Sequence, residues 1–186
     1  NNMEVEIIFH NSDIDKTKTE KNTHYSPAFE SVYNTLWNYK APTNKFSISS
    51  FPIKYVIIAD RMFEETLQEF IEWKTRKGFE VIAAYTDEIG ATTTEIKTFV
   101  QNLYETGTPE DPAPTYLLIV GDVDQVPSFQ MSGHVSDMYY CEFDGDGDYI
   151  PEMFFGRFSA TTVEQLIPQI EKTIMWEQFT FPDDDF

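Results

Sequence analysis

The chain has 186 residues, of which 41% are apolar, 24% charged and 16% aromatic. That composition fits one globular domain with a small appendage and excludes a disordered chain, a collagen or a coiled coil. Thirteen basic against 32 acidic residues give a net charge of −19, which repels nucleic-acid phosphates and anionic membranes and favours cations, and no apolar run reaches the ~20 residues of a membrane helix.

Val5, Ile7 and Phe9 alternate with Glu4, Glu6 and Ile8, which predicts a strand within residues 1–9. Residues 11–28 read as a polar, turn-rich stretch. Phe29, Val32, Tyr33, Leu36 and Trp37 fall at helical spacing and predict a short amphipathic helix. Residues 38–52, with Pro42, Pro52 and a serine-rich patch, read as an exposed connection and the chain's main boundary. No basic n-region followed by an apolar stretch opens the chain, so any export signal is expected to have been removed or not included.

Past the boundary the pattern changes. Lys54–Ala59 is a nearly continuous apolar run of the kind a buried parallel strand requires. Asp60 is placed to cap the helix that follows, whose apolar face is Phe63, Leu67, Phe70 and Ile71. Lys74, Arg76 and Lys77 suit the negative end of its dipole, and Gly78 stops it. Phe79–Tyr85 is the next strand. Thr92 and Glu95 form a capping box ahead of a helix carrying Ile96, Phe99, Val100, Leu103 and Tyr104. Thr115–Val120 is the third strand. The order β-α-β-α-β predicts an α/β fold, a parallel-rich sheet with helices on both faces. Ligands of such sheets sit beyond the strand carboxyl ends, here at Asp60, Thr86-Asp87 and Gly121-Asp122.

From residue 137 two short strands are predicted, Met138–Phe143 and Met153–Phe158, around an acidic turn. A last helix follows from about Thr162 to Phe179, with Thr161 and Glu164 as its capping box and Val163, Leu166, Ile167, Ile170 and Ile174 as its apolar face. Pro168 inside it predicts a kink or a late start. The tail from Pro182 to Phe186 is acidic.

The strongest chemical signal is the acidic turn. Asp144, Asp146, Asp148 and Glu152 place four carboxylates within nine residues, a cluster whose mutual repulsion calls for a counter-ion. Gly145 and Gly147 let the backbone curl, and Ile150 offers its carbonyl oxygen. Such a set of hard oxygens suits Ca2+. Zn2+ is disfavoured because no His or Cys cluster lies in the turn. The alternative is a solvated acidic hairpin. The spacing is not that of an EF-hand, since Glu152 falls at position nine of the loop. Asp122, ending a buried strand, is a candidate fifth ligand, with capping of the sheet end as its alternative role. A strand followed by Asp144-Gly-Asp146-Gly also resembles the nucleophile motif of haloacid-dehalogenase-type phosphatases. Asp148 departs from that pattern, and the motif comes late in the chain.

Cys141 is the only cysteine, so no internal disulfide forms. With His134 it is the one thiol–imidazole candidate, but a cysteine inside a predicted strand is expected to be an inert filler. His10 and His24 are expected at the surface. Ser136 and Asp137 are read as strand-start residues.

From Pro52 to Phe179 the segments PIKYVIIAD, FIEWKTRKGFEV, TYLLIVGDVDQVP, SDMYY, DGDYIPEMFFGRFSA and QIEKTIMWE resemble, in order and spacing, the first half of the catalytic domain of gingipain-type cysteine endopeptidases. The resemblance implies a caspase-like catalytic subdomain at residues 53–186, a linker at 41–52 and a propeptide-like tail at 1–40. It also implies secretion, protein or peptide substrates, and Ca2+ held by Asp122, Asp146, Asp148, the carbonyl of Ile150 and Glu152, with Asp144 as a spare acid. Lys40-Ala41 resembles a processing site. In the family the catalytic His and Cys lie downstream of the stretch matching Phe186. The chain is therefore expected to be silent alone and to need the C-terminal half of the catalytic domain as its partner. The rival reading is an extracellular calcium-dependent binding module without catalysis.

Overall fold

The computed structural model describes residues 10–36, 39, 51–145 and 149–180. The strand expected within 1–9, most of the linker, Lys40, Ala41, Asp146, Asp148 and the acidic tail lie outside the described residues.

The first element, α1 (Ile14–His24), falls where only turns were expected. It has no apolar face for periodicity to reveal. Its start is fixed by Asp13, whose side chain accepts from the Lys16 amide at 2.9 Å. Lys21 and His24 lie in its last turn, where positive charge is favourable. The end of α1 is tied to the body: Ala113 donates its amide to the Thr23 carbonyl at 3.1 Å, and the His24 ring stacks on Tyr104 at 4.8 Å. His24 is therefore half-buried rather than a free surface residue. The amphipathic helix expected from Phe29 to Trp37 is shorter. A 3-10 turn covers Pro27–Phe29 and α2 only Glu30–Tyr33.

The body follows the predicted order closely: β1 (Ile53–Ala59), a 3-10 turn (Arg61–Phe63), α3 (Glu64–Arg76), β2 (Phe79–Tyr85), a short α4 (Thr86–Ile89), α5 (Thr93–Glu105) and β3 (Tyr116–Val120). Asp60 accepts from the Met62 amide at 2.8 Å and starts the first crossover. Gly78, at φ +91°, ends it. The Thr92–Glu95 capping box is formed in both directions. Beyond β3 come a hairpin, β4 (Phe129–Met131) and β5 (His134–Ser136), then β6 (Phe154–Phe158) and α6 (Val163–Gln178).

The main sheet has four strands in the order β2-β1-β3-β6, and all neighbours are parallel. Residues alternate between its two faces. Ile57, Ala59, Leu118 and Val120 pack under α3 and α6 with Phe63, Leu67, Phe70, Leu166 and Ile170. Val56, Ile58, Leu117 and Ile119 pack on the other face with Ile96 and Val100 of α5 and with Tyr140, Cys141 and Met153. Helices therefore cover both faces, as the β-α-β-α-β order requires. No helix among the described residues is long and apolar enough to cross a membrane.

Three local expectations are corrected. Met138–Phe143 is not a strand: Met138–Tyr140 is a 3-10 turn and the rest is irregular. Burial of Tyr140 and Cys141 against the α5 face overrides their strand propensity. The acidic turn thus leads into a parallel edge strand rather than joining a hairpin. The last helix starts at Val163 with Thr162, not Thr161, at its cap position, and Thr162 makes no side-chain cap bond. The Gln165 side chain instead accepts from both the amide (2.8 Å) and the hydroxyl (3.0 Å) of Thr161. The helix also runs through Pro168 without a late start.

Candidate functional site

β1 and β3 are neighbours, yet the chain leaves β1 over the α3 face and returns to β3 over the α5 face. Strand order reverses between them, which opens a crevice beyond their carboxyl ends. The residues expected there are present and occupied with local bonds. Gly121, at φ +126°, donates its amide to the Phe158 carbonyl at 2.9 Å. A Cβ at this position would meet the Gln125 side chain at 2.7 Å, so the close turn depends on glycine. The Asp122 amide donates to the Ala160 carbonyl at 2.9 Å, and its carboxylate accepts from the Val123 amide at 2.8 Å. Asp87 is paired with Arg61, whose Nε and Nη2 each reach it at 3.0 Å. Arg61 also bonds Glu88 and lies over the Tyr85 ring at 4.0 Å.

The crevice is framed by a residue that periodicity does not flag. Arg157, in the middle of β6, donates to both oxygens of Asp137 at 2.7 Å, to the carbonyls of Gly121 and Val126 at 2.8 Å, and to the Ser128 hydroxyl at 3.0 Å. One guanidinium thereby holds the loop after β3 and the turn after β5 together. Burial opposes ionisation of Asp137, but the bonds from Arg157 and Ser128 prevail and hold its carboxyl below the usual range. Asp137 is thus an ion-pair partner, not a strand-start residue. The available signal was an arginine inside an otherwise apolar strand, Phe154-Phe-Gly-Arg157-Phe158.

The acidic turn lies at the other end of the sheet. Asp144 is exposed, Gly145 has φ +98°, and Ile150 is 74% exposed. Glu152 is fixed at the stem: its amide donates to the Cys141 carbonyl at 2.8 Å, and its carboxylate accepts from the Phe143 amide at 2.8 Å. The parallel register, Tyr116 opposite Phe154 and Val120 opposite Phe158, puts Glu152 before the amino end of β6 and Asp122 beyond the carboxyl end of β3. The intervening strand alone separates them by about 15 Å at ~3.3 Å per residue. Ligands of one Ca2+ lie within about 2.5 Å of it. Asp122 therefore does not share an ion with Glu152, and its place in that ligand set is corrected. Asp146 and Asp148 lie outside the described residues. Among the described residues alone, no three His, Cys, Asp or Glu side chains converge on a metal position.

Two further expectations meet the geometry here. The phosphatase-like reading needs a strand leading into Asp144, and the residues before it form none. Cys141 is fully buried, and burial, with Glu152 and Asp137 nearby, pushes its thiol up, so it is held as the inert thiol. His134 is exposed at the start of β5, and no hydrogen bond or ion pair joins it to Cys141.

The sequence model of peptidase family C25 matches residues 48–185. Lys-gingipain of Porphyromonas gingivalis is 35% identical over 190 residues, an alignment covering 100% of this chain and 11% of that protein. A solved protease structure superposes with a TM-score of 0.67 at 37% identity, over 73% of this chain and 30% of that one. The complex of the pro- and mature domains of RgpB from Porphyromonas gingivalis superposes with a TM-score of 0.61 at 31% identity, over 66% and 29% respectively. The chain thus spans about a tenth of the curated relative and under a third of each solved chain.

Proposed function

This chain belongs to peptidase family C25, and from that premise we propose that it is the amino-terminal portion of a secreted cysteine endopeptidase that hydrolyses peptide bonds in proteins. The observation that carries the reading is the family match over residues 48–185, coinciding with a parallel sheet whose carboxyl-end crevice is braced by Arg157. The chemistry is attack of a thiolate on the peptide carbonyl, with an imidazole moving the proton. Both groups come from residues outside this chain. The buried, protonated Cys141 supports that assignment. In a protein extending past residue 186, Cys141→Ala is expected to retain peptidase activity while alkylation of thiols abolishes it. Loss of activity in Cys141→Ala with its fold intact, or activity insensitive to alkylation, would refute the assignment.

The acidic turn is proposed to hold Ca2+ through Asp146, Asp148, the Ile150 carbonyl and Glu152, with Asp144 as a spare acid. The donors are all hard oxygens, and Glu152 is already positioned by the Phe143 amide. The ion's contribution is to close the turn ahead of β6. An ion that binds only the folded state stabilises it by about 2.7 kcal/mol at a concentration of 100 Kd. Added Ca2+ is therefore expected to raise the unfolding temperature, and Asp148→Ala to remove most of that rise. Equal rises in both proteins would end the ligand assignment.

Residues 1–40 are proposed as the end of a propeptide, released by cleavage between Lys40 and Ala41. The intact mass of the mature protein is expected to place its first residue at Ala41, with Lys40→Ala blocking that cut. A mature chain beginning elsewhere after a non-basic residue would remove the proposal.

A further inference from the structure

The acidic turn is flanked by two rings, Phe143 and Phe154, and the leading arm, residues 10–36, reaches both sides. On the entering side Phe143 lies 5.0 Å from Tyr104 of α5, and the His24 ring of the arm stacks on the same tyrosine at 4.8 Å. On the leaving side Phe154 opens β6, and Phe29 of the arm lies flat on it at 4.2 Å. Between these rings the stem of the turn is closed by the Phe143 amide, which donates to the Glu152 carboxylate at 2.8 Å. Tyr104 is within electrostatic reach of both the stem and the arm: burial first, then Glu152, Tyr33 and Asp144, pushes its hydroxyl up.

The two ring anchors belong to one cross-tied piece of the arm. Tyr25 donates its hydroxyl to Glu30 at 2.8 Å, the Ser26 side chain accepts from the Ala28 amide at 3.3 Å, and the Tyr33 ring packs on Tyr25 and Phe29 at 5.6 and 6.1 Å. His24 and Phe29 therefore dock as a unit, together with the bond from the Ala113 amide to the Thr23 carbonyl. The docked and undocked arm are two states, and only the docked one backs Tyr104 and Phe154. We infer that the arm is a strap across the acidic turn: docking of His24 and Phe29 and closure of the Phe143–Glu152 stem favour each other. Linkage makes the effect reciprocal, so loosening the stem must also loosen the arm. The state of the leading arm is thereby felt at the acidic turn, far along the chain.

Two amides report the two partners, Ala113 the arm and Phe143 the stem. The test is amide hydrogen exchange, followed by NMR on the full chain in excess EDTA, comparing the parent with His24→Ala/Phe29→Ala and with Phe143→Ala. Exchange of a bonded amide follows its opening equilibrium. In the double variant Ala113 and Phe143 are both expected to exchange about fivefold or more faster, the size of effect lost with an aromatic pair. Gly121, whose amide bonds the Phe158 carbonyl at the far end of the sheet, is expected to keep its rate. In Phe143→Ala, Ala113 is expected to speed up by a similar factor. An unchanged Phe143 in a double variant whose Ala113 is faster overturns the inference. So does an unchanged Ala113 in either variant, or a Gly121 that speeds up as much as Phe143, which would mean a general loss of stability. If Phe143→Ala does not fold, Phe143→Leu, which keeps bulk and loses the ring, is read in the same way. The inference rests neither on calcium nor on cleavage at Lys40: with the ion chelated throughout, failure of the calcium assignment leaves it standing.

Discussion

Arg157→Met is expected to destabilise the protein by about 3–5 kcal/mol, the loss that follows when one partner of a buried ion pair is removed. Arg157 and Asp137 are only 13% and 15% exposed at their side chains. Without the guanidinium, Asp137 keeps a charge with only the Ser128 hydroxyl to meet it, and the Gly121 and Val126 carbonyls lose a donor. Lysine does not restore the fork: one ammonium cannot take both Asp137 oxygens and two carbonyls in the same plane. Arg157→Lys should therefore recover only part of the loss. Replacing both partners with apolar residues should recover more, because no uncompensated charge remains. Urea unfolding of the four proteins measures this. A loss below about 1 kcal/mol in Arg157→Met would show that the network is ornamental to stability, as exposed ion pairs commonly are.

The second large effect concerns acid. Glu177, near the end of α6, accepts from Lys74 Nζ at 2.6 Å, Trp73 Nε1 at 2.7 Å and Lys77 Nζ at 2.9 Å. Burial raises its carboxyl, but these three donors outweigh burial and lower it to about 2 from an ordinary 4.5. A carboxylate whose folded-state value is depressed contributes stability above its unfolded value and loses it as pH falls toward the folded one. The contribution is about 2–3 kcal/mol at neutral pH, after allowance for the group's partial contact with solvent. Glu177→Gln is expected to be less stable than the parent by that amount at pH 7. The difference should shrink below about pH 5 and vanish only below the folded-state value of about 2, where the parent's carboxyl is also neutral. Unfolding free energies measured from pH 7 to pH 2 decide it; a difference constant across that range would mean that shape, not charge, couples α3 to α6.

The parts of the fold that were legible are those with a strong period. Residues 54–120 alternate apolar runs with amphipathic stretches bounded by Asp60, Gly78 and the Thr92–Glu95 box, and each boundary carries its own local bond. What was not legible depended on tertiary neighbours. The polar α1 has no stripe to betray it and is held by Tyr104 and Ala113, far along the chain. The β4–β5 hairpin has three-residue strands, too short for alternation to register. Tyr139, Tyr140 and Cys141 carry strand-like side chains but sit in or beside a 3-10 turn because the α5 face buries Tyr140 and Cys141. For the candidate site, the crowding of carboxylates in the acidic turn was readable from the sequence, but the distance of that turn from Asp122 was not. Sequence order says that both adjoin strands. Only the parallel pairing of β3 with β6 says that they adjoin opposite ends. Arg157 was overlooked for a similar reason, since its six acceptor atoms are spread from Gly121 to Asp137.

The aromatic row across the amino ends of the strands bears on what the leading arm does. Phe79, Tyr55, Tyr116 and Phe154 follow one another ring to ring, and Phe29 extends the row by lying flat on Phe154 at 4.2 Å. The arm therefore grips the body from behind, at the pole farthest from the crevice. Cutting away residues 10–36 would bare a greasy border on that rear pole. Their loss should be felt first in solubility and heat tolerance.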